Sequence, residues 1–190
     1  LALPESRFGA SEIGALLAVP AIAARFGLNE AALEEVREWI AQSGIRWGLG
    51  AEDAVGLGPG IARNTWRFGL ERMLLGVALD GEVPFGDVAP LALGGAEAGE
   101  RLGMLAEFIA QIEQHARALT TPRSVAAWRS TLALLIENFY APERAFEAEL
   151  AELRAAIAAV FELLDASGFD GTLEHELVAD LLGERLGLSD

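Results

Sequence analysis

Apolar residues recur at helical spacing along nearly the whole chain. The pattern predicts a short helix over residues 11–18, with Ser11 as its N-cap. Pro20 breaks it and opens a second helix that stops at Gly27. Asn29 caps a third over 30–43, whose inner face is Ala32, Leu33, Val36, Trp39 and Ile40, with Gly44 as the terminating glycine. Asn64 caps a helix to about Leu79 with a stripe of Trp66, Leu70, Met73 and Val77. Gly69 and Gly76 share a neighbouring face; each costs ~1 kcal/mol of propensity, and close helix–helix approach is the expected return. Three seams follow, stepping by three and four: Leu102, Leu105, Ile109, Ile112, Ala116, Leu119; then Val125, Trp128, Leu132, Leu135, Phe139; then Phe146, Leu150, Leu153, Ile157, Val160, Leu164. Thr121-Pro122 and Ala141-Pro142 punctuate them, each Pro expected in a first turn. Links this short force antiparallel neighbours. A last helix runs from Leu173 to about Leu186. No convincing strand is visible, although 83–93 could hold a short one. The fold class is therefore all-α: an irregular helical domain with antiparallel bundle packing. It is read as one domain over 1–190, with N-terminal helices and a glycine-rich loop over 1–80 and antiparallel helices over 96–190.

Composition narrows the function. Hydrophobic residues make up 52% of 190, which excludes a disordered chain, and no window approaches the ~20 apolar residues of a membrane span. There is no Cys, hence no disulfide framework and no thiolate chemistry, which fits the cytoplasm. Leu1-Ala2-Leu3-Pro4-Glu5 lacks the basic and apolar regions of a signal peptide and reads as a cut from a longer chain. The net charge is −15, the wrong sign for tight binding of phosphates by the chain alone. The charge is uneven. Residues 142–190 hold twelve acids against Arg144, Arg154 and Arg185, whereas 46–72 hold Arg46, Arg63, Arg67 and Arg72 against Glu52, Asp53 and Glu71. Any phosphate contact belongs to that second segment.

Candidate chemistry is sparse. Gly56-Leu57-Gly58-Pro59-Gly60 lacks the preceding strand and the Lys of a phosphate-cradling loop. Asp165 to Glu176 has the length and ends of a calcium loop, but Phe169 and Asp170 stand where an oxygen ligand and a glycine belong. His115 and His175 have no partner at ligand spacing and read as partly exposed helix residues. A Ser124–His115–acid triad can be drawn on paper, but nothing in the spacing supports it. Glu147, Glu149 and Glu152 form a solvated helix face. No catalytic, cofactor or metal residue is assigned. Arg46, Trp47, Arg63, Trp66 and Arg67 flank the irregular loop; packing into the core is the favoured reading for the aromatic face, and a partner or DNA contact is the other.

Particular strings carry a resemblance. Ser6-Arg7-Phe8, Leu16-Leu17-Ala18-Val19-Pro20, Arg25-Phe26-Gly27-Leu28, Trp39 through Gly48 (including Ser43-Gly44-Ile45-Arg46-Trp47-Gly48) and Asn64 through Gly76 (including Thr65-Trp66-Arg67-Phe68-Gly69-Leu70) resemble the gamma-subunit family of bacterial exodeoxyribonuclease V, the RecC family. The likeness is dense over residues 4–80 and collinear beyond. It implies a helical 2B-like accessory domain, inserted into the second motor domain of a subunit similar to a superfamily 1 helicase without its ATPase motifs. It also implies a subunit that helps split and channel strands, with a motor–nuclease beta subunit and a second motor, the alpha subunit, as partners. Such a complex unwinds and degrades double-strand breaks and responds to Chi, read mostly by other parts of the subunit. No catalytic residue of the family falls on these positions. The expectation is a non-catalytic structural and interaction domain, or alternatively a DNA-contacting one, with weak or no DNA binding by the chain alone.

Overall fold

The computed structural model describes residues 3–54, 61–79 and 84–187. Among these it holds eight α-helices: α1 (Ala10–Leu17), α2 (Pro20–Arg25), α3 (Glu30–Ser43), α4 (Trp66–Leu79), α5 (Ala98–Leu119), α6 (Val125–Phe139), α7 (Glu147–Ala166) and α8 (His175–Leu186). The fold is all-α. One ladder accompanies it: β1 (Arg123–Ser124) pairs antiparallel with β2 (Thr172–Leu173), Arg123 opposite Leu173. Two-residue strands are too short to show a period of two in sequence, so the pattern revealed neither. In the 83–93 segment the described residues form only a single bridge, Phe85 to Val88. Two compact units result, Ser6–Glu113, and Gln114–Asp190 together with Leu1–Glu5. The boundary falls inside α5.

In the first unit α3 follows its sequence signals. Asn29 Oδ1 accepts from Ala32 N at 2.9 Å, satisfying one of the donors a helix start leaves free. Gly44, at φ 80°, ends the helix in a conformation a side chain would oppose. Ala32, Val36, Trp39 and Ile40 are buried and Leu33 is half-buried. Ser11, by contrast, lies inside α1; Gly9 precedes that helix, without a side-chain cap. Asn64 stands two residues before α4 in a 3₁₀ turn, Ile61–Asn64, and its amide donates to Gly44 O at 2.9 Å.

The buried face of α4 also departs from its apolar stripe. Trp66, Gly69, Met73 and Gly76 point inward, while Leu70 is half-buried and Val77 exposed. The reason lies in what packs there. A Cβ on Gly69 would collide with the Ile45 side chain, and one on Gly76 with the carbonyl of Leu91. Gly69 admits the end of α3, at Ser43 and Ile45 just beyond it, as expected of a close helix approach, whereas Gly76 admits a loop segment. Leu91 N donates to Arg72 O at 2.9 Å, pinning that segment along α4. The first part of α5 buries Leu102, Leu105, Phe108, Ile109 and Ile112; Phe108 meets Phe26 edge-on, ring centroids 5.1 Å apart. Arg101 bonds both Glu35 and Glu97.

In the second unit the predicted α6 seam is buried at Val125, Trp128, Leu132 and Phe139, with Ile136 in place of the half-buried Leu135. On α7 Leu150 and Val160 of the predicted seam are buried and Ile157 and Leu164 pack against the core, with Ala156 and Phe161 buried beside them. Pro122 and Pro142 both lie in linkers rather than in first turns. Ser124 caps α6, accepting from Ala127 N at 3.3 Å, and a 3₁₀ turn, Arg144–Phe146, precedes α7. Arg129, near the start of α6, pairs with Asp165, near the end of α7, at 2.7 Å; the two helices therefore run antiparallel. Their shared core adds Leu119, Leu173, Val178 and Leu182.

His115 is buried rather than partly exposed. Its Nε2 lies 2.9 Å from Asn138 Nδ2 and its ring meets Phe139 edge-on at 5.3 Å. Burial pushes its pKa below the ordinary value, since desolvation penalises the imidazolium. The unfolded chain then binds the proton more readily. Stability is complete above the ordinary histidine range, near ~6.5, and falls as pH drops through it toward the lowered folded value. Urea midpoints should therefore be lower at pH 5.5 than at pH 7, and the gap should shrink in His115→Gln. An unchanged gap would mean that other groups carry it.

Candidate functional site

The strings read as specific in the sequence converge on one knot of the first unit. Its frame is backbone. Arg46 N and Trp47 N both donate to Asn64 O, at 2.8 and 3.3 Å; Gly48 N donates to Arg7 O at 2.7 Å; Ala10 N donates to Arg46 O at 3.0 Å; and Trp66 N and Arg67 N donate to Gly48 O and Leu49 O, both at 2.9 Å. Three segments distant in sequence, around residues 7–10, 46–49 and 64–67, are stitched into one element. Asp53 closes the loop, its Oδ2 accepting from Leu49 N at 2.5 Å and Gly50 N at 3.3 Å. Backbone bonded this densely is a rigid mount for side chains.

Trp66 stands at the centre. It is fully buried, and its indole N–H donates to Phe8 O at 2.8 Å. Phe8 has φ 52°, a left-handed conformation costly for a bulky residue, and its N–H donates to Ser6 Oγ at 2.8 Å. Trp66 thus holds a turn in place from inside the core, and its ring offers no outer surface. Trp47 is half-buried, and Arg46, Arg63 and Arg67 are exposed.

The guanidiniums divide by partner. Arg67 bonds Glu52 at 2.8 Å and Glu113 at 3.2 Å. The hydrogen bond to Glu52 raises its pKa from the ordinary value, against a lowering by desolvation, and the charges of Glu52, Glu113 and Asp53 add to the rise. A cation held by two carboxylates is poorly placed to neutralise a phosphate. Arg72 is spent on structure, donating to Ser43 O at 2.6 Å and Ala89 O at 2.8 Å. Arg46 and Arg63 have no carboxylate partner among the described residues, and the same holds for Arg7. Arg7 lies some forty residues before Arg46, too far for charge along the chain to group the two; its place in the Ser6-Arg7-Phe8 string is the signal that points to it.

The other candidates resolve differently. The Gly56–Gly60 loop lies outside the described residues. Ser124 caps α6 and His115 faces Asn138, so the paper triad is not assembled. In the 165–176 stretch, Asp165 is paired with Arg129, Gly168 turns the chain at φ 70°, and Thr172–Leu173 forms β2. Glu147, Glu149 and Glu152 are exposed on α7.

Comparison with known proteins places this arrangement. The model of the RecBCD enzyme subunit RecC fourth domain matches residues 1–190. RecBCD enzyme subunit RecC of Escherichia coli (strain K12) is 32% identical over 188 residues, which cover 98% of this chain and 17% of that protein. The Haemophilus influenzae protein of the same name is 32% identical over 187 residues, covering 98% and 16%. That of Mycobacterium tuberculosis (strain H37Rv) is 33% identical over 140 residues, covering 72% and 13%. The chain thus spans about a sixth, at most, of the length of these relatives.

Proposed function

Since the chain belongs to the RecC family, matching its fourth domain from end to end, we propose that it is a non-catalytic structural and interaction domain of the gamma subunit of an exodeoxyribonuclease V complex, acting in double-strand-break repair and homologous recombination. Its partners in this reading are the rest of the gamma subunit and the beta and alpha subunits, in the cytoplasm. Residues 1–190 serve as one accessory domain. Among the described residues, no helix is long and apolar enough to cross a membrane.

The observation that carries the interaction role is the knot around Trp66. It is a rigid mount that presents Arg46, Trp47 and Arg63 outward, with neither guanidinium paired to a carboxylate among the described residues. Half-buried Trp beside Arg is the composition of protein–protein hot spots. In an otherwise acidic chain, two exposed guanidiniums are better matched to a carboxylate-bearing partner than to a long phosphate backbone. The test is a gamma subunit carrying Arg46→Glu and Arg63→Glu, co-purified with its beta and alpha subunits. Loss of assembly with retained folding is expected; full assembly would remove the surface from the interface.

The second reading is DNA contact by the same residues. Here the assembled complex decides. A phosphate contact contributes roughly 0.9 to the slope of log affinity against log salt, so a complex bearing the double change should lose up to about 2 units of slope if both guanidiniums touch phosphate. An unchanged slope favours the protein-contact reading. The isolated chain, at −15, should bind duplex DNA weakly or not at all at physiological salt and should hydrolyse neither ATP nor DNA.

A further inference from the structure

We infer that Glu5, His175 and Glu176 form a binding site for one divalent transition-metal ion, with zinc as its type. The three come together within the second unit. Glu5 ends the 3₁₀ turn Leu3–Glu5, and His175 and Glu176 are the first two residues of α8. A ligand atom from each lies within 4.8 Å of the others.

The imidazole points to a ligand independently of the carboxylates. His175 Nε2 is shut off from solvent and makes no hydrogen bond. Its nearest charged neighbour, Glu5 Oε1, stands 3.7 Å away, beyond hydrogen-bond reach. A buried polar atom left without a partner costs free energy, and native structures usually supply one. A metal ion would accept the lone pair of the neutral ring. The two carboxylates supply the charge that makes a cation welcome there. Helix starts carry partial positive charge, which opposes a cation, but only as about half an elementary charge, against two full negative ones.

The donor set selects the metal class. One nitrogen and two carboxylate oxygens suit zinc and its first-row neighbours, whereas calcium and magnesium take oxygen throughout. Zinc holds such ligands at roughly 2.0–2.2 Å, so the side chains must draw together by about an ångström. Glu5 and Glu176 are exposed and free to do so, while the half-buried His175 is already in place. Three protein ligands leave a fourth position for water or for a group from a partner. Binding would staple the Leu3–Glu5 turn to the start of α8. Spacing along the chain could not reveal this set, because 169 residues lie between Glu5 and His175.

The test is zinc binding to the chelator-treated 190-residue chain, by calorimetry and by competition with cobalt, whose absorption reports nitrogen and oxygen ligation. One equivalent should bind and raise the thermal midpoint. His175→Gln should weaken binding at least about tenfold, since even residues that only orient ligands are worth that much. Glu5→Gln, a change at an exposed side chain that cannot unfold the chain, should weaken it comparably and abolish the thermal shift. His115→Gln should leave binding unchanged. No saturable binding by the wild-type chain overturns the site. So does binding that survives both His175→Gln and Glu5→Gln, which would put the ion elsewhere.

Discussion

Replacing Trp66 by Ala should destabilise the first unit by about 3–5 kcal/mol, the range for removing a buried aromatic. Two costs combine. The indole fills space no water reaches, and a cavity remains when it goes. Its N–H also satisfies Phe8 O at 2.8 Å; without it that carbonyl is unpaired and the positive-φ turn at Phe8 loses its brace. Trp66→Phe separates the two, keeping most of the volume and losing the hydrogen bond, and should cost about 1–3 kcal/mol. Urea denaturation followed by circular dichroism measures both. The outcome bears on function as well. A cost below about 1 kcal/mol for the Ala variant would be typical of a surface substitution and would contradict the core placement. A large cost means that partner binding must be probed at Arg46 and Arg63, because any Trp66 variant would lose binding through misfolding alone.

Trp128→Ala should cost about as much, ~3–5 kcal/mol, in the second unit. Trp128 is fully buried between α6 and α7 residues. Its indole donates to Leu173 O at 2.8 Å, anchoring β2, and Arg123 on β1 sits 5.3 Å from the ring centre. One side chain therefore ties the core to both strands of the ladder. Hydrogen exchange should show amide protection lost at 123–124 and 172–173, while α3, capped by Asn29, keeps its own. Arg123→Ala removes the cation over the ring and the hydrogen bond that its guanidinium donates to Thr121 O at 2.7 Å, and should cost about 0.5–2 kcal/mol. If protection at the ladder survives in the Trp128 variant, the strands are held by their own pairing and the indole anchor is redundant.

Helix existence was legible because it rests on short-range physics. The Asn29 cap, the left-handed Gly44, Pro20 at the start of α2 and the α5 seam act over four to seven residues, and a sequence displays that range directly. The strings at 43–48 and 64–76 marked the region where the knot forms, and with it the family. Local signals also misled where two devices compete for one role. Ser11 and Asn64 resemble caps, yet Gly9 precedes α1, and Asn64 turns to the Gly44 carbonyl of another segment. Pro122 and Pro142 fit linkers as well as first turns, because a linker also lacks a need for the missing N–H.

What the sequence determined by itself was the all-α class, most helix limits, the family, and the concentration of Arg near the irregular loop against an acidic C-terminal quarter. Tertiary structure alone decided which face of α4 is buried, since Gly69 and Gly76 turn inward only because Ile45 and Leu91 arrive there from elsewhere in the chain. It alone decided that His115 is buried, that β1 meets β2, and that Arg67 is held by Glu52 and Glu113. Each of these depends on a partner far away in sequence. A residue's own type and spacing carry its helical preference, but the identity of what it touches appears only when the chain closes on itself.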